Sequence, residues 1–407
     1  LAVSDRGVYG VTGSDLAGAG ISLSSIDPAT VRLYTQGGID QARAFTDPAV
    51  LAAELKTIFS SQWLLVPEPS GADARTDSRP WGERLKQRGA RAPVTLLEKP
   101  LFLQRGWRDA KLRLLPNVCT HAWYPLAPGP GRGERLVCAQ HGRQFDSTGR
   151  CLTQPGFTPK AAVFPRACDH LTEFQSEFFG PLLFACLGRP ALPFKRIAAL
   201  ISESLGTLPM SRLERRPQAG DLRELDGNWK QHSWNYMDKF HVQFIHKAPA
   251  GLADAIDLNS YRTELHEGAS LQWAYGRDPK SGFDPELLPE RFRDPKGRRV
   301  FALWWFLFPN LTLNFYPWGL SVNVYEPIPD RPEKTLFRWY AWSWDDKKFS
   351  ERESRWLSDQ VDAEDVEAMA QVRRGVRSGL APRGRFSTTE EIGPHWFHHA
   401  VSRTLAG

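Results

Sequence analysis

The chain has 407 residues, of which 41% are hydrophobic and 24% charged, and its formal net charge is +6. These values are ordinary for a globular protein with a buried core. No apolar run approaches the roughly twenty residues that span a bilayer, and no motif supports binding to nucleic acid. The N-terminus shows no basic region followed by an apolar core, and the five cysteines are few. The sequence therefore predicts a cytoplasmic protein.

The first part of the chain predicts one helix and then a series of short strands. Residues 1–46 show no strong hydrophobic period, whereas Asp47-Pro48 is typical of a helix start and an apolar helical face follows it. β-Prone runs separated by turns then predict a small antiparallel β domain. The predicted strands are Trp63–Val66, Val94–Leu97, Leu101–Arg105, Lys111–Leu115, Leu136–Ala139 and Leu182–Leu187.

Two mixed pairs of metal-ligand residues lie within this β-rich segment. The first is Cys119-Thr-His121, and the second, after sixteen intervening residues, is Cys138-Ala-Gln-His141. Two thiolates and two imidazoles on paired loops are the ligands of a [2Fe–2S] centre in which histidines replace two cysteines on one iron. Tetrahedral zinc accepts the same four ligands. A zinc finger, however, keeps its cysteines together and its histidines together, so the mixed pairs favour the iron–sulfur centre.

Beyond residue 191 the pattern is that of an α+β domain. A helix is predicted around residue 238, aromatic runs at 301–325 and 337–344 predict neighbouring antiparallel strands, and 355–378 predicts a long helix. We expect a small antiparallel β domain at 61–190. We expect a catalytic domain at 191–407, with an antiparallel sheet flanked by helices. Residues 1–60 are predicted to form an arm and a helix that belong to the catalytic domain.

The predicted helix near residue 238 carries a second group of candidate metal ligands. Asp238 and His241 are three residues apart and share one face of a helix, whereas His246 requires the helix to distort or end before it. Two imidazoles and one carboxylate, with open positions, are the ligand set of mononuclear non-haem Fe(II) oxygenases. The presence of another redox-metal motif in the same chain favours this interpretation over simple core packing of the histidines.

The carboxylate that completes this group is predicted on the long helix. Asp365 falls at helical spacing with apolar residues such as Val361 and Met369, so it faces the core among them. A carboxylate in such surroundings is costly unless a charge such as that of iron compensates it. Asp362 is the alternative ligand.

Taken together, these motifs resemble the oxygenase (α) component of the Rieske non-haem iron oxygenases. The resemblance is carried by Cys-x-His-x16-Cys-x2-His, by Asn228-Trp-Lys and by Asp238-x2-His241-x4-His246. It covers nearly the whole chain and is closest to the choline monooxygenase and glycine-betaine-type branch and to the ring-hydroxylating dioxygenases. The implied fold is a Rieske domain followed by a catalytic domain.

The resemblance implies two cofactors, a Rieske [2Fe–2S] cluster and a mononuclear Fe(2+). The implied ligands are Cys119, His121, Cys138 and His141 for the cluster, and His241, His246 and Asp365 for the mononuclear iron. Asp238 stands where the family has its bridging acid, through which electrons pass from the cluster of one subunit to the iron of its neighbour, commonly in a homotrimer. The sequence has neither a dinucleotide fingerprint nor a P-loop, so a separate reductase or ferredoxin is expected to supply electrons.

The implied activity is hydroxylation or oxidative demethylation of a small organic substrate with O2. The substrate is expected to be a quaternary ammonium or an aromatic compound. By the resemblance, the substrate-binding residues near the iron are Asn235, Phe244, Trp305 and Phe315. The alternative is a Rieske-type electron-transfer protein without oxygenase activity, but such a carrier has no need of the second iron site.

The cysteine- and histidine-bearing loops depart from the family pattern in two places. Ala122 follows the first histidine where arginine is frequent, and Arg143 stands where tryptophan is common. The four ligand residues themselves are intact. The departures change the surface that flanks the cluster, and so bear on the identity of the redox partner.

Overall fold

The computed structural model describes residues 42–69, 79–157, 164–247, 251–350, 354–380 and 384–406, without the side chains of 218–219 and 354–359. The chain divides into two compact units. One is Trp63–Ala191, called the β unit below, and the other joins the residues up to Gln62 with Leu192–Gly407 and is called the α+β unit. The predicted N-terminal arm lies almost wholly outside the described residues. No helix in the described ranges is long and apolar enough to cross a bilayer.

The α+β unit begins with two helices, α1 (Arg43–Thr46) and α2 (Pro48–Ser61). The predicted start of α2 is confirmed, because the Asp47 side chain accepts a hydrogen bond from the Ala49 N–H at 2.8 Å. Leu51, Ile58 and Phe59 are buried along its apolar face. The helix therefore forms for the reason that the sequence indicates.

The β unit consists of short antiparallel strands and, in its described part, one short helix, α3 (Trp81–Arg84). The strand orders of its three sheets are β1-β10-β9, β4-β3-β2-β5 and β6-β7-β8. The strands are β1 (Leu64–Leu65), β2 (Ala90–Leu96), β3 (Lys99–Arg105), β4 (Leu112–Pro116), β5 (Gly131–Arg132), β6 (Arg135–Val137), β7 (Gln144–Asp146), β8 (Cys151–Thr153), β9 (Gln175–Phe179) and β10 (Leu182–Cys186).

One hydrophobic cluster fills the β unit beneath the cysteine-bearing loops. Phe102, Leu115 and Phe145 are among its members, and it also contains Cys119 and Cys138. Each of the two cysteines is only 1% exposed. The β unit therefore anchors the bases of both loops in its own core.

A seven-stranded antiparallel sheet with the order β11-β17-β16-β15-β14-β13-β12 forms the centre of the α+β unit. The strands are β11 (Glu214–Asp226), β12 (Arg262–His266), β13 (Ala269–Tyr275), β14 (Val300–Leu307), β15 (Leu311–Tyr316), β16 (Gly319–Pro327) and β17 (Lys334–Ser343). The aromatic runs that predicted adjacent strands form β14 to β17. Together with the helices and the separate β unit, this sheet confirms the predicted α+β class.

The other helices of the α+β unit follow in chain order. They are α4 (Phe194–Leu205), α5 (Trp229–Tyr236), α6 (Val242–Ile245), α7 (Leu252–Ala255), α8 (Asp346–Ser350), α9 (Ser354–Ser378) and α10 (Ile392–Ala406). Short 3-10 turns lie at Ala167–Asp169 in the β unit and at Met210–Arg212, Leu258–Ser260 and Glu290–Phe292 in the α+β unit. At the start of α5 a buried ion pair joins Lys230 to Glu54 of α2.

The structure corrects the prediction that Asp238 and His241 share a helix. Helix α5 ends at Tyr236, and α6 begins only at Val242, so both residues lie in the connection between the two helices. The Asp238 carboxylate accepts a hydrogen bond from the Phe240 N–H at 2.8 Å. An aspartate side chain that bonds to the backbone two residues later stabilises a turn, and this turn replaces the helical conformation here. His246 lies just beyond the end of α6, in agreement with the expectation that the helix ends before it.

Candidate active site

Two loops with the same hydrogen-bonding pattern present the cysteines of the β unit. In each loop the cysteine N–H donates to the carbonyl five residues later, and the cysteine carbonyl accepts from the N–H four residues later. The hydrogen bonds are Cys119 N to Tyr124 O at 2.8 Å, Trp123 N to Cys119 O at 3.0 Å, Cys138 N to Arg143 O at 2.8 Å and Gly142 N to Cys138 O at 2.9 Å. The two halves of the candidate cluster site are therefore built alike.

The equivalent loop positions differ in the residue that adopts the left-handed backbone conformation. Gly142 has φ +71°, a region that glycine adopts without strain, whereas its counterpart Trp123 has φ +57°. The Trp123 side chain is also 83% exposed. A bulky residue in this conformation is strained, and the first loop therefore carries a cost that the second does not.

The side chains of these loops form a donor set that fits a histidine-ligated cluster. Cys119 and Cys138 are buried side by side, and the pKa of the Cys119 thiol is raised by burial and by its hydrogen bond to Cys138. The imidazoles of His121 and His141 lie at the more exposed rim, with ring centroids 4.8 Å apart. Two buried thiols below two outer imidazoles match the asymmetry of a centre with two cysteines on one iron and two histidines on the other.

The α+β unit brings His241, His246 and Asp365 together as a group that could hold a metal ion. The two Nε2 atoms are 3.1 Å apart, and Asp365 Oδ1 lies 3.5 Å from Nε2 of His241 and 3.2 Å from Nε2 of His246. Ligands that surround a metal at roughly 2.0–2.2 Å are separated by about 3 Å, so these spacings fit one ion. Asn235 Nδ2 donates to Asp365 Oδ1 at 2.9 Å. Asp362 does not belong to the group.

A carboxylate orients each of the two imidazoles. His241 Nδ1 donates to Asp238 at 3.3 Å, and His246 Nδ1 donates to Glu364 at 2.7 Å. With one proton held on each Nδ1, a neutral imidazole presents its Nε2 lone pair to a metal, whose binding displaces any second proton from that nitrogen. Asp238 was expected from the sequence. The sequence analysis missed Glu364. It directly precedes Asp365, and nothing in the sequence marked it as a second carboxylate that contacts a histidine.

The electrostatics of the group are strongly coupled. Burial lowers the pKa of His241, but hydrogen bonds to Asp238 and Asp365 outweigh burial and raise it to about 9. For Asp365, burial favours the neutral acid and so raises the pKa. The hydrogen bonds to His241 and His246 outweigh burial and bring the pKa of Asp365 well below its ordinary value. Three mutually dependent titratable groups with shifted pKa values beside a cavity are typical of a functional site. A divalent cation would compensate the carboxylates directly.

A cavity of about 120 Å³ opens beside this group. An engineered cavity of roughly 150 Å³ in another protein holds a benzene molecule, so the space suits a small substrate. Its aromatic lining consists of Tyr236, Tyr261, Phe301, Trp304, Tyr316 and Tyr325. Asp238, Asp362 and Asp365 supply its acidic groups, and among the described residues that line it none is Lys or Arg.

Comparison with known proteins finds a matching family model within each unit. The model of the Rieske [2Fe–2S] domain matches residues 82–172. The model described as the ring hydroxylating alpha subunit, catalytic domain, matches residues 212–407. The chain is a Rieske oxygenase α subunit. It is therefore an oxidoreductase that incorporates oxygen, and the family's [2Fe–2S] cluster and mononuclear Fe(2+) are its cofactors.

Two groups of relatives of this α subunit cover most of the chain. The chloroplastic choline monooxygenase of Arabidopsis thaliana is 28% identical, over 89% of this chain and 81% of its own. The carnitine monooxygenase oxygenase subunit of Escherichia coli (strain K12) is 23% identical, over 89% of this chain and 93% of its own. The resemblance seen in the sequence is thereby confirmed.

Solved structures of similar fold come from two kinds of Rieske oxygenase. A quaternary ammonium Rieske monooxygenase in complex with L-carnitine superposes with a TM-score of 0.66, at 20% identity, and 89% of this chain and 94% of that one are covered. Naphthalene 1,2-dioxygenase from Rhodococcus sp. gives a TM-score of 0.62 at 16% identity, with 90% and 94% covered. At these identities the likeness establishes the fold.

The four residues predicted to bind substrate do not line the cavity. Trp305 and Phe315 are fully buried, and Trp305 Nε1 donates to Ser204 of α4 at 3.0 Å. Successive residues of a strand face opposite sides, so it is the neighbours of these two, such as Trp304 and Tyr316, that face the cavity. Phe244 is 56% exposed on α6 and lies outside the cavity. Asn235 contacts Asp365 instead of the cavity.

Proposed function

We propose that this α subunit accepts electrons at the cluster of the β unit and uses O2 at the mononuclear iron to hydroxylate or oxidatively demethylate a small quaternary ammonium compound. When bound, the two cofactors supply single electrons and the site of O2 activation. We assign the cluster to Cys119, His121, Cys138 and His141, and the mononuclear iron to His241, His246 and Asp365. The β unit is then the Rieske domain, and the α+β unit is the catalytic domain.

The combination of aromatic rings and carboxylates around the cavity carries the proposal on substrate class. Tyr and Trp faces attract a quaternary ammonium group through cation–π interactions, which are stronger in a desolvated site. Asp362 adds a carboxylate that faces the same cavity. A cation is attracted by this carboxylate as well as by the rings, whereas an aromatic hydrocarbon gains only from the rings, so the lining favours a cation.

The charges of the lining also favour a substrate without an acidic group. The carboxylate of a zwitterion such as carnitine would meet the Asp362 carboxylate in the cavity. The lining contains the amides of Gln272, Asn314 and Asn323, but none of its described residues is a Lys or Arg that would balance a second negative charge. A monocation of the size of choline therefore fits the cavity better than a carboxylated ammonium compound.

Substrate-dependent O2 uptake with a surrogate reductase tests the proposed activity. We expect uptake with choline-like monocations, and little with carnitine or with 3,3-dimethylbutanol, in which carbon replaces the quaternary nitrogen of choline. Asp362→Asn is expected to raise KM for the cation about tenfold, equivalent to about 1.4 kcal/mol, while the iron content stays unchanged. Faster turnover of the neutral isostere than of the cation would reject the proposed substrate class.

The alternative function, electron transfer without oxygenation, is distinguished by metal content. We expect three irons and two acid-labile sulfides per chain, because a [2Fe–2S] cluster and a separate iron are both assigned. A carrier protein would hold two irons and two sulfides. One zinc without sulfide would reject the assignment of both metal sites.

We further propose that the α subunit forms a homotrimer, receives electrons from a separate reductase or ferredoxin, and works in the cytoplasm. The solved structure of one quaternary ammonium relative is described as revealing inter-subunit electron transfer. Phe240, Phe244 and Ile245 form an exposed apolar patch directly after Asp238, and a neighbouring subunit is the partner that we assign to it. None of the five cysteines forms a disulfide, which supports a reducing compartment.

A further inference from the structure

We propose that Arg143 is a positioning residue for the Rieske cluster, one that joins the two ligand loops and raises the reduction potential of the cluster with its buried positive charge. The inference rests on the cluster assignment made above. It concerns a position where this chain departs from the tryptophan common in the family.

Arg143 is a buried cation in the core of the β unit. Its side chain is 2% exposed and lies two residues after His141. Its guanidinium lies 5.7 Å from the ring centroids of Phe157 and of Phe164, within range of cation–π contact. Burying a guanidinium is costly unless its N–H groups are hydrogen-bonded, so the partners of Arg143 indicate what the residue does.

The contacts of Arg143 connect both loops that carry the candidate ligands. Arg143 itself belongs to the second loop, and its Nη1 donates to Thr120 Oγ1 at 2.8 Å, in the first loop between Cys119 and His121. The same nitrogen donates to Asp169 Oδ1 at 3.0 Å. Thr120 Oγ1 in turn donates to the Asp169 carbonyl at 2.7 Å. The guanidinium therefore holds the first loop against the second.

A third contact extends this network to an imidazole of the cluster site. Arg143 Nε donates to Gln154 Oε1 at 2.5 Å, and Gln154 Nε2 lies 3.0 Å from His121 Nδ1. Because the arginine fixes the amide oxygen, the amide N–H is the group that faces His121. This contact holds the proton of a neutral His121 ring on Nε2 and leaves the lone pair on Nδ1, the nitrogen that would ligate iron in place of this hydrogen bond.

The charge of Arg143 affects the energy of reduction as well as the geometry. Reduction adds one negative charge to the cluster, and a nearby buried cation stabilises that added charge. Asp169 offsets part of this effect, but its side chain is 15% exposed whereas that of Arg143 is 2% exposed. Water therefore screens the carboxylate more than the guanidinium, and the net effect of the pair on the cluster is that of a cation.

Redox titration of the full-length protein, followed by its visible and EPR spectra, tests the inference. Arg143→Met is expected to shift the midpoint potential of the cluster to a more negative value. Arg143→Lys, which keeps the charge, is expected to restore most of the shift. Asp169→Asn is expected to move the potential in the positive direction. Arg150→Met is the matched control, since it removes the same charge from an exposed position of the β unit, and its potential should equal that of the wild type.

The outcomes separate this inference from the cluster assignment. A wild-type protein without acid-labile sulfide rejects the assignment itself. A wild-type protein that holds the cluster, together with an unshifted potential in Arg143→Met, rejects the inference alone. If Arg143→Met does not retain the cluster, Asp169→Asn decides, and an unchanged potential in that variant overturns the proposal. An equal shift in Arg150→Met overturns it as well, because the effect would then be one of net charge.

Discussion

At the scale of single residues, two carboxylate–imidazole pairs prepare the candidate iron site. Asp238 and Glu364 each accept the Nδ1 proton of one histidine, so both Nε2 atoms face Asp365. Carboxylate partners of this kind fix the tautomer and ring orientation of metal-bound histidines. The site is thus arranged by residues that do not themselves reach the ion, and each of them can be tested separately from the proposed ligands.

Replacing Asp365 with Ala is expected to abolish binding of the mononuclear iron and to leave the cluster spectrum unchanged. A methyl group cannot balance the charge of Fe(II), and two imidazoles alone bind it weakly. Iron and sulfide analysis of the purified variant measures the result. The matched control is Asp362→Ala, which removes a carboxylate from the same helix and cavity and should retain all three irons. Loss of iron in the control but not in Asp365→Ala would transfer the ligand role to Asp362.

Replacing Asp238 with Asn is expected to preserve all three irons and nearly abolish turnover. The proposed bridge then lacks its charged acceptor, so re-oxidation of the reduced cluster in a single turnover should slow by roughly tenfold to a hundredfold. Rapid mixing of the reduced, substrate-loaded protein with O2 measures that rate. Glu364→Gln makes the same change at the other imidazole and should likewise retain the three irons, but without slowing re-oxidation of the cluster. Equal slowing in both variants would show that Asp238 only orients His241 and is not part of the electron-transfer path.

At the scale of secondary-structure elements, the sequence predicted which elements exist better than which way they face. Hydrophobic alternation and turn residues were sufficient to predict helix α2 and strands β14 to β17. Trp304 and Trp305 are both buried, however, because both faces of the sheet are covered, and no polar alternation shows which one faces the cavity. The break between α5 and α6 escaped prediction because it depends on one side-chain hydrogen bond of Asp238.

The paired loops of the β unit give a prediction about strain. Trp123→Gly is expected to raise the free energy of unfolding by about 1 kcal/mol, because glycine adopts the left-handed conformation without the penalty that tryptophan incurs. Chemical denaturation of the cluster-bound protein measures the change. Tyr124→Gly is the control, since no positive φ applies there, and it should not stabilise. A loss of stability in Trp123→Gly would show that the tryptophan side chain contributes more than its backbone conformation costs.

The buried ion pair between α2 and α5 gives a second prediction at this scale. Lys230→Met should destabilise the protein by about 3–5 kcal/mol, because the Glu54 carboxylate then stays buried without a cation. The double variant with Glu54→Gln should recover much of this loss. The glutamine is neutral, and its amide oxygen can still accept the hydrogen bond that Trp229 Nε1 now donates to Glu54. Urea unfolding of the wild type and both variants measures the difference, and a double variant less stable than Lys230→Met would contradict the explanation.

At the scale of the whole molecule, the proposed division of labour between the units follows from where the residues that we assign as ligands lie. The β unit buries the two cysteines that we assign to the cluster and leaves the two assigned imidazoles nearer the surface, as an electron-accepting centre requires. The α+β unit places the two imidazoles and the carboxylate that we assign to iron at the wall of a cavity, as a centre that binds substrate requires. This organisation could be predicted from the spacing of a few candidate ligands. The substrate class depends on which aromatic side chains of the strands point into the cavity, and the spacing of residues along the sequence does not determine their direction.

The last prediction concerns assembly. Phe244 is 56% exposed and contacts Phe240 edge to face, with ring centroids 5.5 Å apart. If a neighbouring subunit covers this patch, Phe244→Asp places an unpaired charge in the interface and should weaken the homotrimer at least tenfold, about 1.4 kcal/mol. Light scattering coupled to size-exclusion chromatography, over a range of concentrations, measures the subunit stoichiometry. Leu265→Asp changes another exposed apolar residue of the α+β unit, 39% exposed on β12, and should leave assembly unchanged. Retention of the homotrimer by Phe244→Asp would place the interface elsewhere. Because Asp238 is proposed to receive electrons from the neighbouring subunit, a dissociated Phe244→Asp protein should also keep its three irons and lose turnover. Turnover should return at concentrations where the homotrimer re-forms.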